Sequence, residues 1–187
     1  MDTEIKKCVD LLKQGKIILY PTDTIWGIGC DATNEEAIAR LFRIKQRSEN
    51  KSMLILLDKS DRLPLYVGKI PLIAWDLLSH AYRPTTFIYP TAINLPKQLI
   101  HPDGTIAIRI VNDPFCKKLI AGLGKPIIST SANLSGQEAP QTFSDISPDL
   151  FNKVDHVVPE KFSSSIDFKP SRLIRFIDDY NFAIIRE

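Results

Sequence analysis

Residues 16–32 read KIILYPTDTIWGIGCDA. The run 16–20 is short and apolar, the mark of a buried strand rather than an amphipathic helix. Pro21 removes a ladder donor and ends the pairing. Thr22, Asp23 and Thr24 follow, then the two glycines Gly27 and Gly29. Hydroxyls and exposed backbone N–H groups at a strand end suit a carboxylate or a phosphate. By itself the segment also fits an ordinary turn with local side-chain caps.

Helix and strand signals alternate on either side of it. Upstream, Ile5, Val9 and Leu12 recur at helical spacing, and Gly15 ends that helix. Downstream, Thr33 and Glu36 read as a capping box ahead of the apolar stripe Ala37, Ile38, Leu41 and Phe42. MLILL (53–57) is the next strand, and a helix opened by Pro71 covers 72–78. TFIY (86–89) and TIAIRI (105–110) are strands. Asp113 caps a helix with Pro114 in its first turn, and Gly122 or Gly124 stops it. PIIST (126–130), VDHVV (154–158), SRLIRF (171–176) and FAIIR (182–186) are further strands. The DDYN stretch between the last two predicts a hairpin. The expected fold class is α/β: an open, twisted, mixed sheet with flanking helices, in one domain over 1–187. Two segments rich in Ser, Pro and Asp, 131–150 and 159–170, are expected to be irregular and at the surface.

Composition sets the outer bounds. The chain has 187 residues, 44% of them apolar and 25% charged, which suffices for a core without disulfide or metal staples. A net charge of +2 is too small to indicate nucleic-acid binding, although it leaves the distribution of charge open. Cys8, Cys30 and Cys116 are odd in number and far apart, so reduced thiols serving as core fillers are expected. His80, His101 and His156 are equally scattered, and no zinc site is read from their spacing. The first residues form a charged amphipathic helix rather than a signal peptide, and no apolar run is long enough to cross a bilayer. A cytoplasmic location is therefore expected, without membrane contact.

Two further segments carry candidate chemistry. In IKQRSENK (44–51), Lys45, Arg47 and Lys51 cluster just past the helical stripe. Three cations there suit a triphosphate and the charge that builds on a leaving pyrophosphate. They also suit a helix C-terminus, where they complement the dipole. In PIISTSANLSGQ (126–137), an apolar strand runs into Ser129, Thr130, Ser131, Asn133 and Ser135. Short polar side chains directly after a buried strand suit a ligand-facing loop, and equally a Ser/Asn-rich cap. AGLGKP (121–126) lacks the spacing and the final hydroxyl of a P-loop, and no GxGxxG is present. No Ser/His/Asp constellation stands out.

Taken in order, YPTDTIWGIGCDA, a helix ending in KQR, a strand, RI (109–110) and STSANLSG resemble the YrdC-like family of threonylcarbamoyl-AMP synthases, from about residue 5 onward. That family pairs Lys-x-Arg with a distant Ser-x-Asn, here Lys45, Arg47, Ser131 and Asn133. The resemblance implies a concave, basic groove and a reaction that joins L-threonine, bicarbonate or CO₂, and ATP. The products are threonylcarbamoyl-AMP and pyrophosphate, with Mg²⁺ riding on the nucleotide and no metal held by protein ligands. Downstream tRNA threonylcarbamoyl-transfer proteins are the implied partners, and tRNA itself a possible one. Thr22 and Thr24 are implied in the threonine pocket, Lys45 and Arg47 in the triphosphate clamp. Lys51 and Arg109 are implied near the threonine carboxylate. Ser129, Ser131 and Asn133 are implied in the wall shared by amino acid and nucleotide, and Ser171 and Arg186 in the closure over the nucleotide. Segment 159–170 is the candidate lid.

Two stretches depart from the family pattern. YRPTTF (82–87) lacks the glycine of Pro-Gly-Pro-x-Thr, and Pro170-Ser171-Arg172 stands where Pro-Ser-Thr is usual. They leave room for a paralogue with another acyl-adenylate substrate. A non-catalytic module binding tRNA or double-stranded RNA is the other alternative, although no aromatic–basic interleaving supports it.

Overall fold

The computed structural model describes residues 1–46, 53–140, 142–163 and 169–187. Five α-helices and nine strands are present among them, and the strands form one mixed sheet. In chain order these are α1 (Asp2–Lys13), β1 (Ile18–Tyr20), β2 (Gly27–Gly29), α2 (Glu35–Lys45) and β3 (Leu54–Leu57). Then come α3 (Ile73–Ser79), β4 (Thr85–Tyr89), β5 (Ile106–Ile110), α4 (Pro114–Leu123) and β6 (Ile127–Ser131). α5 (Pro148–Phe151), β7 (His156–Val157), β8 (Arg172–Phe176) and β9 (Phe182–Arg186) complete the set. The spatial order is β7-β1-β2-β6-β3-β5-β4-β8-β9. Pairs β1–β7, β3–β5 and β4–β8 are parallel and the rest antiparallel, so crossovers and hairpins both occur as expected.

Strand alternation divides the side chains between two faces. One face carries Leu19, Ile28, Ile55, Leu57, Phe87, Tyr89, Ile106, Ile108, Ile174 and Phe176, packed with the apolar stripe of α2 and with α3. The other carries Ile18, Tyr20, Leu56 and Ile127 beneath Ile5, Cys8, Val9 and Leu12 of α1 and Phe115, Cys116, Leu119 and Ile120 of α4. Helices α1 and α4 cover that second face only toward β1. Farther along, on β5, β4 and β8, the same parity positions are Arg109, Thr86 and Leu173, which line a cavity instead of a core.

The helix caps follow local chemistry. Asp113 accepts from Cys116 N at 2.7 Å, Pro114 opens α4, and Gly124, with φ +76°, closes it. At α2 the cap is Asn34, whose Oδ1 accepts from Ala37 N at 2.9 Å, and not Thr33. Thr33 is instead held by Asp31, which accepts from its N and its Oγ1. The adjacent amide won the capping role because the carboxylate upstream had already taken the threonine. The predicted hairpin forms across Ile177–Asn181, where Asp178 Oδ1 accepts from Tyr180 N and Asn181 N. Within 131–150 two short helical turns, Phe143–Asp145 and α5, break the expected irregularity. All three cysteines are buried thiols. Among the described residues, no helix is long and apolar enough to cross a membrane.

β2 is the element that the sequence pattern hid. Its residues are Gly, Ile and Gly, and glycine weakens a strand signal. The glycines are there for contact. A Cβ on Gly29 would sit 1.8 Å from Ile128 O, and one on Gly27 would meet Ser129 Oγ at 3.0 Å. Gly29→Ala is expected to push β2 off β6 and to destabilise the fold by roughly 3 kcal/mol. Equilibrium denaturation checks this, and an unchanged midpoint would show that β2 accommodates the methyl.

Candidate functional site

The open part of the second face forms a cavity of about 500 Å³. Its floor is set by strand register. Thr86 and Ile88 come from β4, Ala107 and Arg109 from β5, Ser129 and Ser131 from β6, and Leu173 and Arg186 from the β8–β9 hairpin. The 24–27 turn and Asn133 close one side, and Pro170–Ser171 the other.

Several of its polar groups are held by neighbouring groups of the chain. Thr22 Oγ1 donates to Ile25 O at 2.7 Å and accepts from Thr24 N at 3.1 Å. Its single proton is thereby used, so in the 3.0 Å contact between the two hydroxyls Thr24 is the donor. Thr24 thus lines the cavity with its lone pairs available, while Thr22, at 1% exposure, shapes the turn from behind. On the far side, Thr86 Oγ1 and Ser171 Oγ share a hydrogen bond of 2.7 Å.

Lys45 is the pin of the site. It ends α2 at 2% exposure, and its ammonium reaches across to the loop after β6. Nζ donates to Ser131 O at 2.5 Å, to Asn133 O, and to Asn133 Oδ1 at 2.9 Å. Ser131 Oγ donates to the same Asn133 Oδ1 at 2.5 Å, and Asn133 Nδ2 donates to Gln137 O at 2.5 Å. The two-residue spacing of Ser131 and Asn133 lets one amide oxygen collect both donors.

Two guanidinium groups give the cavity its sign. Arg109 is 3% exposed and pairs with Asp23 at 3.2 Å. Its Nε has no hydrogen-bond partner among the described residues. Arg186 donates Nε and Nη2 to Ser171 O at 3.2 and 2.8 Å. Burial, reinforced by the Arg109 cation, pulls the Arg186 guanidinium below its ordinary value, and it still carries its charge at neutral pH. Arg109 and Arg186 line this partly enclosed surface and Asp23 does not, which makes the cavity attractive to anions. An adjoining pocket of about 130 Å³, sharing Thr24 and Pro170, holds Arg83, Lys169 and Arg172. Glu187 pairs there with both arginines, through Oε2 to Arg83 and Oε1 to Arg172 at 2.8 Å.

The Sua5/YciO/YrdC family model, described as "Telomere recombination", matches residues 10–187. The chain belongs to the Sua5/YciO/YrdC family. A threonylcarbamoyl-AMP synthase of Pseudoalteromonas translucida (strain TAC 125) is 38% identical over 159 residues, which are 83% of this chain and 85% of that protein. E. coli YciO superposes with a TM-score of 0.86 at 25% identity, over 100% of this chain and 90% of that one. P. abyssi Sua5, solved in complex with L-threonine, shares the fold at a TM-score of 0.88 and 24% identity. That alignment takes in 97% of this chain but only 53% of the longer P. abyssi protein.

In this Sua5/YciO/YrdC chain the residues singled out from sequence meet unequally. Thr24, Arg109, Ser129, Ser131, Asn133, Ser171 and Arg186 line one cavity. Lys45 touches its wall from beneath, and Thr22 supports Thr24 without lining the space. Arg47 and Lys51 lie outside the described residues, as does 164–168 within the candidate lid. Asp23 and Thr86 were missed. Thr86 was visible in principle, since it alternates with the buried Phe87 on a strand, and Asp23 stands between the two threonines of the opening motif.

Proposed function

We propose that this chain is a threonylcarbamoyl-AMP synthase, a nucleotidyltransferase that joins L-threonine, bicarbonate and ATP. The observation that carries this reading is the meeting of Arg109, Arg186 and the Ser129–Ser131–Asn133 wall on a single cavity. A space of about 500 Å³ falls in the range of small-molecule sites, and two anionic substrates need the positive field found there. Its similarity to a bacterial protein of that name supports the assignment.

The chemistry asks for placement more than for acid–base side chains. Threonine's amine and bicarbonate give a carbamate and water. A carbamate oxygen then attacks the α-phosphorus of ATP, the bond to the β-phosphate oxygen breaks, and pyrophosphate departs. Holding the two anions in line supplies several kcal/mol of the barrier reduction. Arg109 anchors the threonine carboxylate, and Thr24 accepts from its ammonium or hydroxyl. Ser129, Ser131 and Asn133 separate the amino acid from the nucleotide. Arg47 neutralises charge on the phosphates, and Lys45 adds its field from beneath the wall while its ammonium holds Ser131 and Asn133. Lys51 adds a cation near the threonine, and Ser171 with Arg186 closes over the nucleotide. Magnesium enters with ATP as part of the substrate. The cavity lining contains no carboxylate among the described residues, so the chain offers hydroxyl and amide oxygens rather than a cage. The product passes to tRNA threonylcarbamoyl-transfer proteins.

Mass spectrometry of products from ATP, bicarbonate and each amino acid tests the reading. Threonylcarbamoyl-AMP is expected from threonine, with serine poorer by roughly 10–200-fold because one methyl group distinguishes them. A preference for a different amino acid would place the chain among acyl-adenylate paralogues. Salt-dependent tRNA binding without any nucleotide turnover would replace the enzyme reading with an RNA-binding one.

A further inference from the structure

We propose that Glu4, Cys8 and His156 form a binding site for a zinc-like divalent transition-metal ion. The site is separate from the cavity, to which α1 and β7 contribute no lining residue. The proposal is independent of the reaction assigned above.

Geometry brings the three donors together. Glu4 and Cys8 are four residues apart on α1 and therefore share a face of the helix. His156 belongs to β7, which is locked in parallel register to β1 through Ile18. Its ring reaches Glu4 at 2.5 Å from Nε2 to Oε1, and Cys8 Sγ lies 3.9 Å from the same oxygen. One ligand atom from each of the three residues lies within 4.8 Å of the other two. The carboxylate and the imidazole keep 16% and 13% of their side-chain surface in solvent, which is an entry path, while the thiol is enclosed.

The donor set chooses the ion. Thiolate, imidazole and carboxylate together suit borderline-soft Zn²⁺, whereas magnesium and calcium favour oxygen alone. Tetrahedral zinc with bonds of ~2.0–2.3 Å wants neighbouring ligand atoms roughly 3.3–3.6 Å apart. The sulfur–oxygen separation is already close to that, and the histidine–glutamate contact must open by under about 1 Å, within reach of side-chain rotation. On binding, the Cys8 thiol releases its proton to solvent as the metal–sulfur bond forms. The hydrogen between His156 Nε2 and Glu4 is likewise given up to solvent, and the imidazole ligates through the bared Nε2 with its proton carried on Nδ1. Three protein ligands leave a fourth position for water. The ion clamps the first helix to the edge strand beside β1, which leads directly into the 20–27 turn.

Cobalt reports this site without reference to activity. The full chain, reduced and stripped with chelator, is titrated with Co²⁺. Expected are a near-ultraviolet thiolate-to-cobalt charge-transfer band and visible tetrahedral bands, both abolished by Zn²⁺. Cys8→Ser should remove the charge-transfer band, and Glu4→Gln and His156→Gln should each weaken Zn²⁺ binding by at least about tenfold. Zn²⁺ should raise the melting temperature of the unmodified chain and not that of the variants. If Cys8→Ser fails to fold, the two ligand variants that retain the thiol decide. No thiolate band, or binding unchanged by those substitutions, would leave only an ion pair joining helix to strand and overturn the proposal.

Discussion

Lys45→Met is expected to lower pyrophosphate release by about a hundredfold or more, because it removes a cation from a site that must stabilise charge on a triphosphate. The structure adds a second consequence. Nζ donates to Ser131 O, Asn133 O and Asn133 Oδ1. Methionine removes that donor from all three, although Ser131 O still accepts from Asn133 N and Asn133 Oδ1 from Ser131 Oγ, so Asn133 O bears most of the loss. Deserting buried acceptors costs about 1–3 kcal/mol for each group that water cannot reach. A fall in stability of about 1–3 kcal/mol is expected, alongside lost order in the loop after β6. The two effects separate experimentally. Pyrophosphate release at saturating ATP reads the charge, and thermal melting without ligand reads the loop. A stable, near-fully active Lys45→Met would remove Lys45 from the machinery. A destabilised but active one would reduce it to a pin.

The sheet was legible because its strands are short apolar runs between strong stop signals, as with KIILY before Pro21 and PIIST after Gly124. Which strand residues would meet at the cavity was legible less directly. Arg109 between Ile108 and Ile110, and Thr86 beside Phe87, follow simple alternation, but alternation does not say which face lacks a helix cover. That depends on α1 and α4 packing over β1 and leaving β4, β5 and β8 bare, a tertiary outcome. β2 escaped because two of its three residues are glycines, chosen for backbone approach rather than strand propensity. The division of labour between Thr22 and Thr24 depends on one hydrogen bond to Ile25 O, which no spacing rule contains. Arg172, a departure from the family pattern, proves to share Glu187 with Arg83 beside the cavity, a pairing over 104 residues on one side and 15 on the other. Glu4, Cys8 and His156 were invisible for the same reason, since 152 residues separate the histidine from the glutamate.

Arg109→Met is expected to raise the KM for threonine at least about a hundredfold, since it deletes the charge-assisted partner proposed for the carboxylate. It should also destabilise the chain by roughly 1–3 kcal/mol, as the half-buried Asp23 is left without its cation. Asp23 is tied to the site a second way, accepting from Asn112 N at 3.1 Å, so it does not simply turn to solvent. The double variant Asp23→Asn/Arg109→Met separates pairing from binding. Removing both charges should recover most of the stability, because replacing a buried ion pair is far less harmful than breaking it. It should recover none of the threonine affinity. Recovery of both would mean that Arg109 serves only to balance Asp23, and the anion-binding role would pass to Arg186. Recovery of neither would mean that the pair positions the 20–27 turn, and a KM effect shared equally by ATP and threonine would expose that.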